Sequence, residues 1–196
     1  MGLPSAPDPD PLAEQTLDAR RAWQGSFLHV YQDRVRCPDG HEATREYLRH
    51  PGAVMMVPLL DDGAVVIERQ YRYPLRRSFI ELPAGKIDPG EGLLACAQRE
   101  LLEETGYVAS DWAYLGGFHN AIGYCDEKIE VFVARGLSQQ GARTDAGEVI
   151  EVFSASVPDL LAAIVDGRIT DVKTIVGIHW LQLHLAGQWP ARLPPR

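Results

Sequence analysis

Gly85-Lys86-Ile87-Asp88-Pro89-Gly90-Glu91-Gly92-Leu93-Leu94-Ala95-Cys96-Ala97-Gln98-Arg99-Glu100-Leu101-Leu102-Glu103-Glu104-Thr105-Gly106-Tyr107 reads as a glycine loop running into an acidic helix. Five acids, Asp88, Glu91, Glu100, Glu103 and Glu104, crowd this stretch, and fold stability alone asks for no such arrangement. Residues 93–104 contain no Pro, Gly or β-branched side chain, so helix is favoured. Gly106 is placed to stop it in a left-handed conformation. Glu100, Glu103 and Glu104 stand at i, i+3 and i+4, which puts their carboxylates on one face. Leu94, Ala97 and Leu101 recur on the opposite side and are expected in the core. Clustered carboxylates repel one another. Hard cations such as Mg2+ or Mn2+ relieve that repulsion and take carboxylates and phosphate oxygens as ligands. A solvated acidic face is the competing reading; it leaves Arg99, Glu91 and the glycine loop, at the spacing a metal site uses, without a purpose.

Composition agrees with an enzyme of modest size. A chain of 196 residues with 45% hydrophobic content can bury one full core and a small accessory unit. Its net charge of −8, with no basic tract, argues against nucleic acid as a partner. A phosphate-bearing substrate then needs metal and arginines placed locally. Cys37, Cys96 and Cys125 form no CxxC pair, and reduced thiols in a cytoplasmic protein account for them. Residues 1–11 are rich in Pro and Asp without an apolar segment, which reads as a disordered tail rather than a signal peptide. The apolar run 53–60 is short and contains Pro58, so no membrane span is expected. None of the histidines falls in a metal-binding spacing; His119 alone lies near the expected site loop.

Working outward from the loop and helix, the chain divides into a tail (1–19), an N-terminal β unit (20–50), a main domain (51–187) and a C-terminal tail (188–196). In the β unit, strands are expected at 26–31 and 42–48 around Pro38-Asp39-Gly40. His50-Pro51-Gly52 marks the boundary. Residues 53–59 and 64–70 read as apolar strands joined into a hairpin by Asp61-Asp62-Gly63. Residues 79–83 lead into the loop, and strands follow at 112–119, 128–135 and 149–154. Ser156-Val157-Pro158-Asp159 opens a helix that stops at Gly167. A last helix, 171–186, carries Ile175, Ile178, Leu181 and Leu185 and closes with Gly187. The order predicts an α+β fold, a mixed β-sheet sandwiched between helices in an α/β/α arrangement. So short a β unit cannot bury its own apolar side, and swapping it with a twin in a homodimer would solve that.

The 85–107 stretch resembles the Nudix box, the signature of hydrolases that split a nucleoside diphosphate linked to another group. Every fixed acidic, basic and glycine position of that pattern is present, and only the last, usually aliphatic, is aromatic, as Tyr107. The resemblance extends over residues 20–187. Val65-Val66-Ile67-Glu68-Arg69-Gln70-Tyr71-Arg72-Tyr73-Pro74-Leu75-Arg76-Arg77 and Glu81-Leu82-Pro83-Ala84-Gly85 are similar to the ADP-ribose pyrophosphatase (ADP-sugar diphosphatase) branch. So are Asp39-Gly40, Gly167-Arg168-Ile169-Thr170-Asp171 and Trp180-Leu181-Gln182-Leu183-His184. The resemblance implies a Nudix fold and Mg-dependent hydrolysis of ADP-ribose or a related nucleoside diphosphate sugar to nucleoside monophosphate and sugar phosphate. GDP-mannose, NADH or a dinucleoside polyphosphate are alternative substrates. A non-catalytic Nudix-fold ligand sensor is the alternative of a different class, but sensors tend to lose box carboxylates and gain a DNA-binding domain.

Roles follow from the same resemblance. It implies metal binding by Glu100 and Glu104, with Glu103 a third and the backbone carbonyl of Ala84 a further ligand. It implies that Arg99 pairs with Glu91 and holds the Gly85 loop onto the helix. Arg69 and Arg72 are candidates for the diphosphate or the terminal ribose, against a surface ion pair for each, a reading as open for Arg76 and Arg77. Glu81 either bonds a substrate hydroxyl or holds an arginine. The water-activating carboxylate of relatives sits in a loop before a late strand, where this chain offers Glu148, then Asp145. Relatives stack the base on aromatics of a neighbouring subunit; Trp23, Phe27 and Tyr31 are candidates for that or for the core. One departure stands out: the Pro usual in the loop beyond the box is Ile122 here.

Overall fold

The computed structural model describes residues 9–142, 147 and 149–195. In chain order the strands are β1 (Gln15–Gln24), β2 (His29–Arg36), β3 (Glu42–Arg49), β4 (Ala53–Pro58) and β5 (Ala64–Arg72). There follow β6 (Arg77–Glu81), β7 (Ala84–Lys86), β8 (Tyr107–His119), β9 (Lys128–Gln139) and β10 (Ile150–Ser156). The helices are α1 (Leu93–Glu100), α2 (Val157–Val165) and α3 (Val172–Leu185). One compact unit holds the described residues up to His50 together with Ala121–Glu127; a second holds the rest.

The first unit is an antiparallel sheet in the order β1-β2-β3. β1 lies partly within residues read from sequence as a tail ending at 19, and that boundary is corrected. No apolar period announces β1 because nearly all its side chains are exposed; its ladder to β2 makes it a strand. The Pro38–Gly40 turn forms as expected, with Gly40 at φ 90° and its N–H donating to the Cys37 carbonyl at 2.9 Å. Trp23 and Phe27 are exposed, and Tyr31 stacks on Tyr47 beneath the Arg49 guanidinium, so none of the three is a core residue. The Ile122 loop belongs to this unit: Leu48 N–H donates to the Tyr124 carbonyl at 2.8 Å, and the Asp126 carboxylate accepts from His50 N–H at 2.7 Å.

The second unit is built on β4. All six of its residues are buried. It lies between β7 and β9 in a sheet ordered β7-β4-β9-β8, parallel to β9, with the other two pairings antiparallel. Met55 and Val57 face a core containing Ile178 and Leu181 of α3, whereas Val54 and Met56 face Cys96, Ala97 and Leu101. The strand is therefore covered by helix on both sides, as a continuous apolar run demands. This is the expected sandwich. A second sheet, β10-β5-β6, closes the α3 side through Val65, Ile67, Phe153 and Ala155.

Four local expectations are corrected. The Asp61–Gly63 turn forms, with Leu60 N–H donating to the Ala64 carbonyl at 2.8 Å, but β4 and β5 make no hairpin. They part into different sheets after one Leu59–Val65 bridge, because β7 and β9 occupy both edges of β4. The box helix is α-helical only to Glu100; Leu101–Thr105 is a π-helical turn, ended by Gly106 at φ 75°. Leu94 is exposed, and the buried stripe of that helix runs through Cys96, Ala97 and Leu101. Finally, the chain stays anchored beyond Gly187: Trp189 stacks on Trp180 at 4.7 Å, its indole N–H donates to the Leu115 carbonyl at 2.8 Å, and Arg192 bridges to Tyr114.

Candidate active site

β7 and the box helix bring the acids together. Glu100 lies directly over Gly85: a Cβ there would sit 1.8 Å from the Glu100 carboxyl carbon. Glycine is needed for that approach, not for a turn. Glu104, 5% exposed, accepts from the Ala84 N–H at 2.9 Å. Arg99 is the hub of the remainder. Its Nε and Nη2 donate to both oxygens of Glu91, at 2.9 and 2.8 Å, and its Nη1 donates to Glu100 at 2.8 Å and Glu103 at 3.0 Å. Nη2 also donates to the Lys86 carbonyl at 3.2 Å, which ties the loop to the helix. The π-helical turn changes the facing of the acids, so Glu104 reaches Ala84 while Glu100 and Glu103 meet at Arg99.

The charges respond accordingly. Hydrogen bonds from Arg99 chiefly, with the Asp88 N–H in support, overcome partial burial and lower the Glu91 carboxyl to about 2. Glu91 first, then Glu100 and Glu103, raises Arg99 well above the usual guanidinium range. Burial, reinforced by Glu91, pushes the Cys96 thiol up to about 12, so it is an inert neutral packing residue.

A second charged group surrounds Glu81, which is 3% exposed. Arg72 grips it with both Nε and Nη2 at 2.7 Å, and Lys173 of α3 reaches the same carboxylate. Burial works to raise the Glu81 pKa, but these two cations outweigh it and hold it low. Glu81 thus holds an arginine, one of the two roles the sequence left open. The negative charges of Glu68 and Glu104 also bear on Arg72 and help to raise its pKa. Arg69 is not brought there. Three residues apart on one strand, the two arginines point to opposite faces, and Arg69 pairs with exposed Glu151 of β10. Arg76 lies over the Tyr73 ring; Arg77 lies over Phe79 and donates to Thr170 at 3.2 Å. Sequence reasoning missed buried Glu68 and Lys173. An acid ending the apolar run Val65-Val66-Ile67 and a lysine in the first turn of a helix were the available signals.

Whether this site suits a divalent cation can be judged from its donors. Glu100, Glu103 and Glu104 offer only hard carboxylate oxygens, the chemistry Mg2+ and Mn2+ select. Glu100 occupies space that any side chain at 85 would fill, so the loop is cut to admit it. As they stand, among the described residues no three His, Cys, Asp or Glu side chains form a coordination shell, since Arg99 and the Ala84 amide take up the acids. The residues fit the cation. Glu148 and Asp145 lie outside the described residues.

A glycine loop over an acidic helix, in a mixed sheet between helices, is matched by a family model described as "NUDIX domain" over residues 49–190. The chain belongs to the Nudix family. Among individual relatives, it is 36% identical to a methanol dehydrogenase activator of Bacillus methanolicus, over 88% of this chain and 95% of the other. It is 35% identical to the ADP-ribose pyrophosphatase of Bacillus subtilis, over 90% and 97% respectively. A crystal structure of an ADP compounds hydrolase superposes with a TM-score of 0.82 at 24% identity, covering 89% of this chain and 95% of that one, and shows the same fold.

Proposed function

We propose that the protein hydrolyses the diphosphate of ADP-ribose, or of a closely related nucleoside diphosphate sugar, giving nucleoside monophosphate and sugar phosphate. It does so with Mg2+, which Mn2+ can replace, and works in the cytoplasm as a homodimer. The observation that carries this reading is the convergence of Glu100 and Glu103 on one Arg99 nitrogen, with Glu104 fixed beside them on the Ala84 amide.

Glu100, Glu103, Glu104 and the Ala84 carbonyl would hold the metal, which would supply neutralisation of phosphate oxygens and a lower pKa for an attacking water. Arg99 keeps its paired bonds to Glu91 throughout, so the loop stays in place while its Nη1 gives up the acids. Arg72, gripped on one edge by Glu81, offers its remaining N–H groups to the diphosphate. A loop acid, Glu148 ahead of Asp145, takes the proton as the water oxygen bonds to phosphorus and the bridging P–O bond breaks. Retention of every box carboxylate supports an enzyme over a sensor.

The test is a panel of ADP-ribose, GDP-mannose, NADH and a dinucleoside polyphosphate, with Mg2+ or Mn2+, read by the phosphate products. Metal-dependent release of AMP and ribose phosphate is expected with ADP-ribose foremost. No nucleoside monophosphate from any substrate with either metal would refute the reading.

A further inference from the structure

We infer that Lys173 is a positioning residue that locks Glu81 and, through it, sets the Arg72 guanidinium for the substrate's diphosphate. The inference rests on the proposed function for what Arg72 binds. Four side chains of alternating charge run from α3 to β5: Asp171, Lys173, Glu81 and Arg72. Lys173 donates to Asp171 at 2.9 Å and also reaches the Glu81 oxygen that receives Arg72 Nη2. Lys173 is 12% exposed and Glu81 3%, whereas Arg72, at 41%, is the open end of the chain.

Each link has a physical reason. A carboxylate held by Arg72 alone can still swing about its own side-chain bonds and carry the guanidinium with it. A second cation arriving from another element removes that freedom. Asp171 balances the added charge, so Arg72 and Lys173 share Glu81 without a surplus positive charge between them. The element supplying Lys173 is itself fixed against the strand supplying Glu81. The Thr174 hydroxyl accepts from the Leu82 N–H at 2.8 Å and donates to Asp171 at 2.6 Å. At Gly177, a Cβ would come within 2.6 Å of Leu82 and 2.7 Å of Met55. The placement also runs against helix electrostatics: Lys173 sits two residues past the Asp171 cap, where the helix end is positive and a cation is disfavoured. A lysine held there by two acids serves the acids, not the helix.

The experiment follows the Arg72 Nε–H signal in full-length protein with 15N-labelled arginine. Lys173→Met is expected to shift or broaden it, and Lys173→Arg to leave it close to wild type. In the same proteins KM for ADP-ribose should rise roughly tenfold in Lys173→Met, with kcat changed less than about twofold. Combining Lys173→Met with Arg72→Gln should add nothing to the loss from Arg72→Gln alone. An unmoved Arg72 signal in folded Lys173→Met, or losses that multiply in the double variant, overturns the inference. Should the methionine variant not fold, Lys173→Gln is read by the same criteria. A wild-type enzyme that cleaves no nucleoside diphosphate sugar would refute the functional reading instead, and the Arg72 signal would still judge Lys173.

Discussion

Glu91 and Arg99 illustrate how single residues set the behaviour of the site. The Glu91 carboxyl is lowered from 4.5 to about 2 in the fold, so its proton-free form is favoured by folding. Its contribution to stability is therefore complete above the ordinary carboxylate range and is lost as pH falls through about 2. Glu91→Gln is expected to be less stable than wild type at neutral pH, and the gap in urea midpoint should close progressively on acidification below 4.5. A gap that stays constant would mean the ion pair is not its source. Glu104→Gln tests the acids directly. A Gln oxygen can still accept from Ala84, so the thermal midpoint should hold while kcat falls roughly a hundredfold or more. Near-normal turnover would remove Glu104 from the metal site.

Among elements, the β7 loop and the box helix are matched so closely that a methyl group separates function from failure. In Gly85→Ala the new Cβ meets the mobile end of Glu100 rather than backbone, so the side chain can swing away at little cost to the fold. The variant should lose about 1 kcal/mol of stability or less but at least roughly tenfold in turnover, as measured by denaturant melts and initial rates. Much at this scale was legible beforehand. The α2 cap at Ser156, the start of α3 near Asp171 and the Gly106 stop depend on neighbouring residues, and local spacing carries them. The failed 53–70 hairpin and the π-helical turn were not legible. Whether β4 keeps an edge free for β5 depends on β9, more than seventy residues away, and the π-helical turn carries Glu104 to the amide of Ala84, twenty residues back along the chain.

On the scale of the whole molecule, the box gave the acids and their partner Arg99, while the Arg72, Glu81 and Lys173 group needed three dimensions. Arg69 and Arg72 look equivalent in a string, and only strand alternation and their different acidic partners tell them apart. The first unit leaves Trp23, Phe27 and Leu28 exposed, more apolar side chain than a sheet this small would leave to water alone. Sedimentation should report a dimer, and Trp23→Ser with Phe27→Ser should shift it toward monomer. A wild-type monomer at micromolar concentration would refute that assembly.

Trp189 and Arg192 have a consequence of their own. β8 is the last strand of its sheet, and the Arg192–Tyr114 bridge caps part of its outer rim. Strand rims left bare invite other chains to add to them. A polypeptide ending at Gly187 should keep its acids and its chemistry yet clump on concentration, visible as rising light scattering.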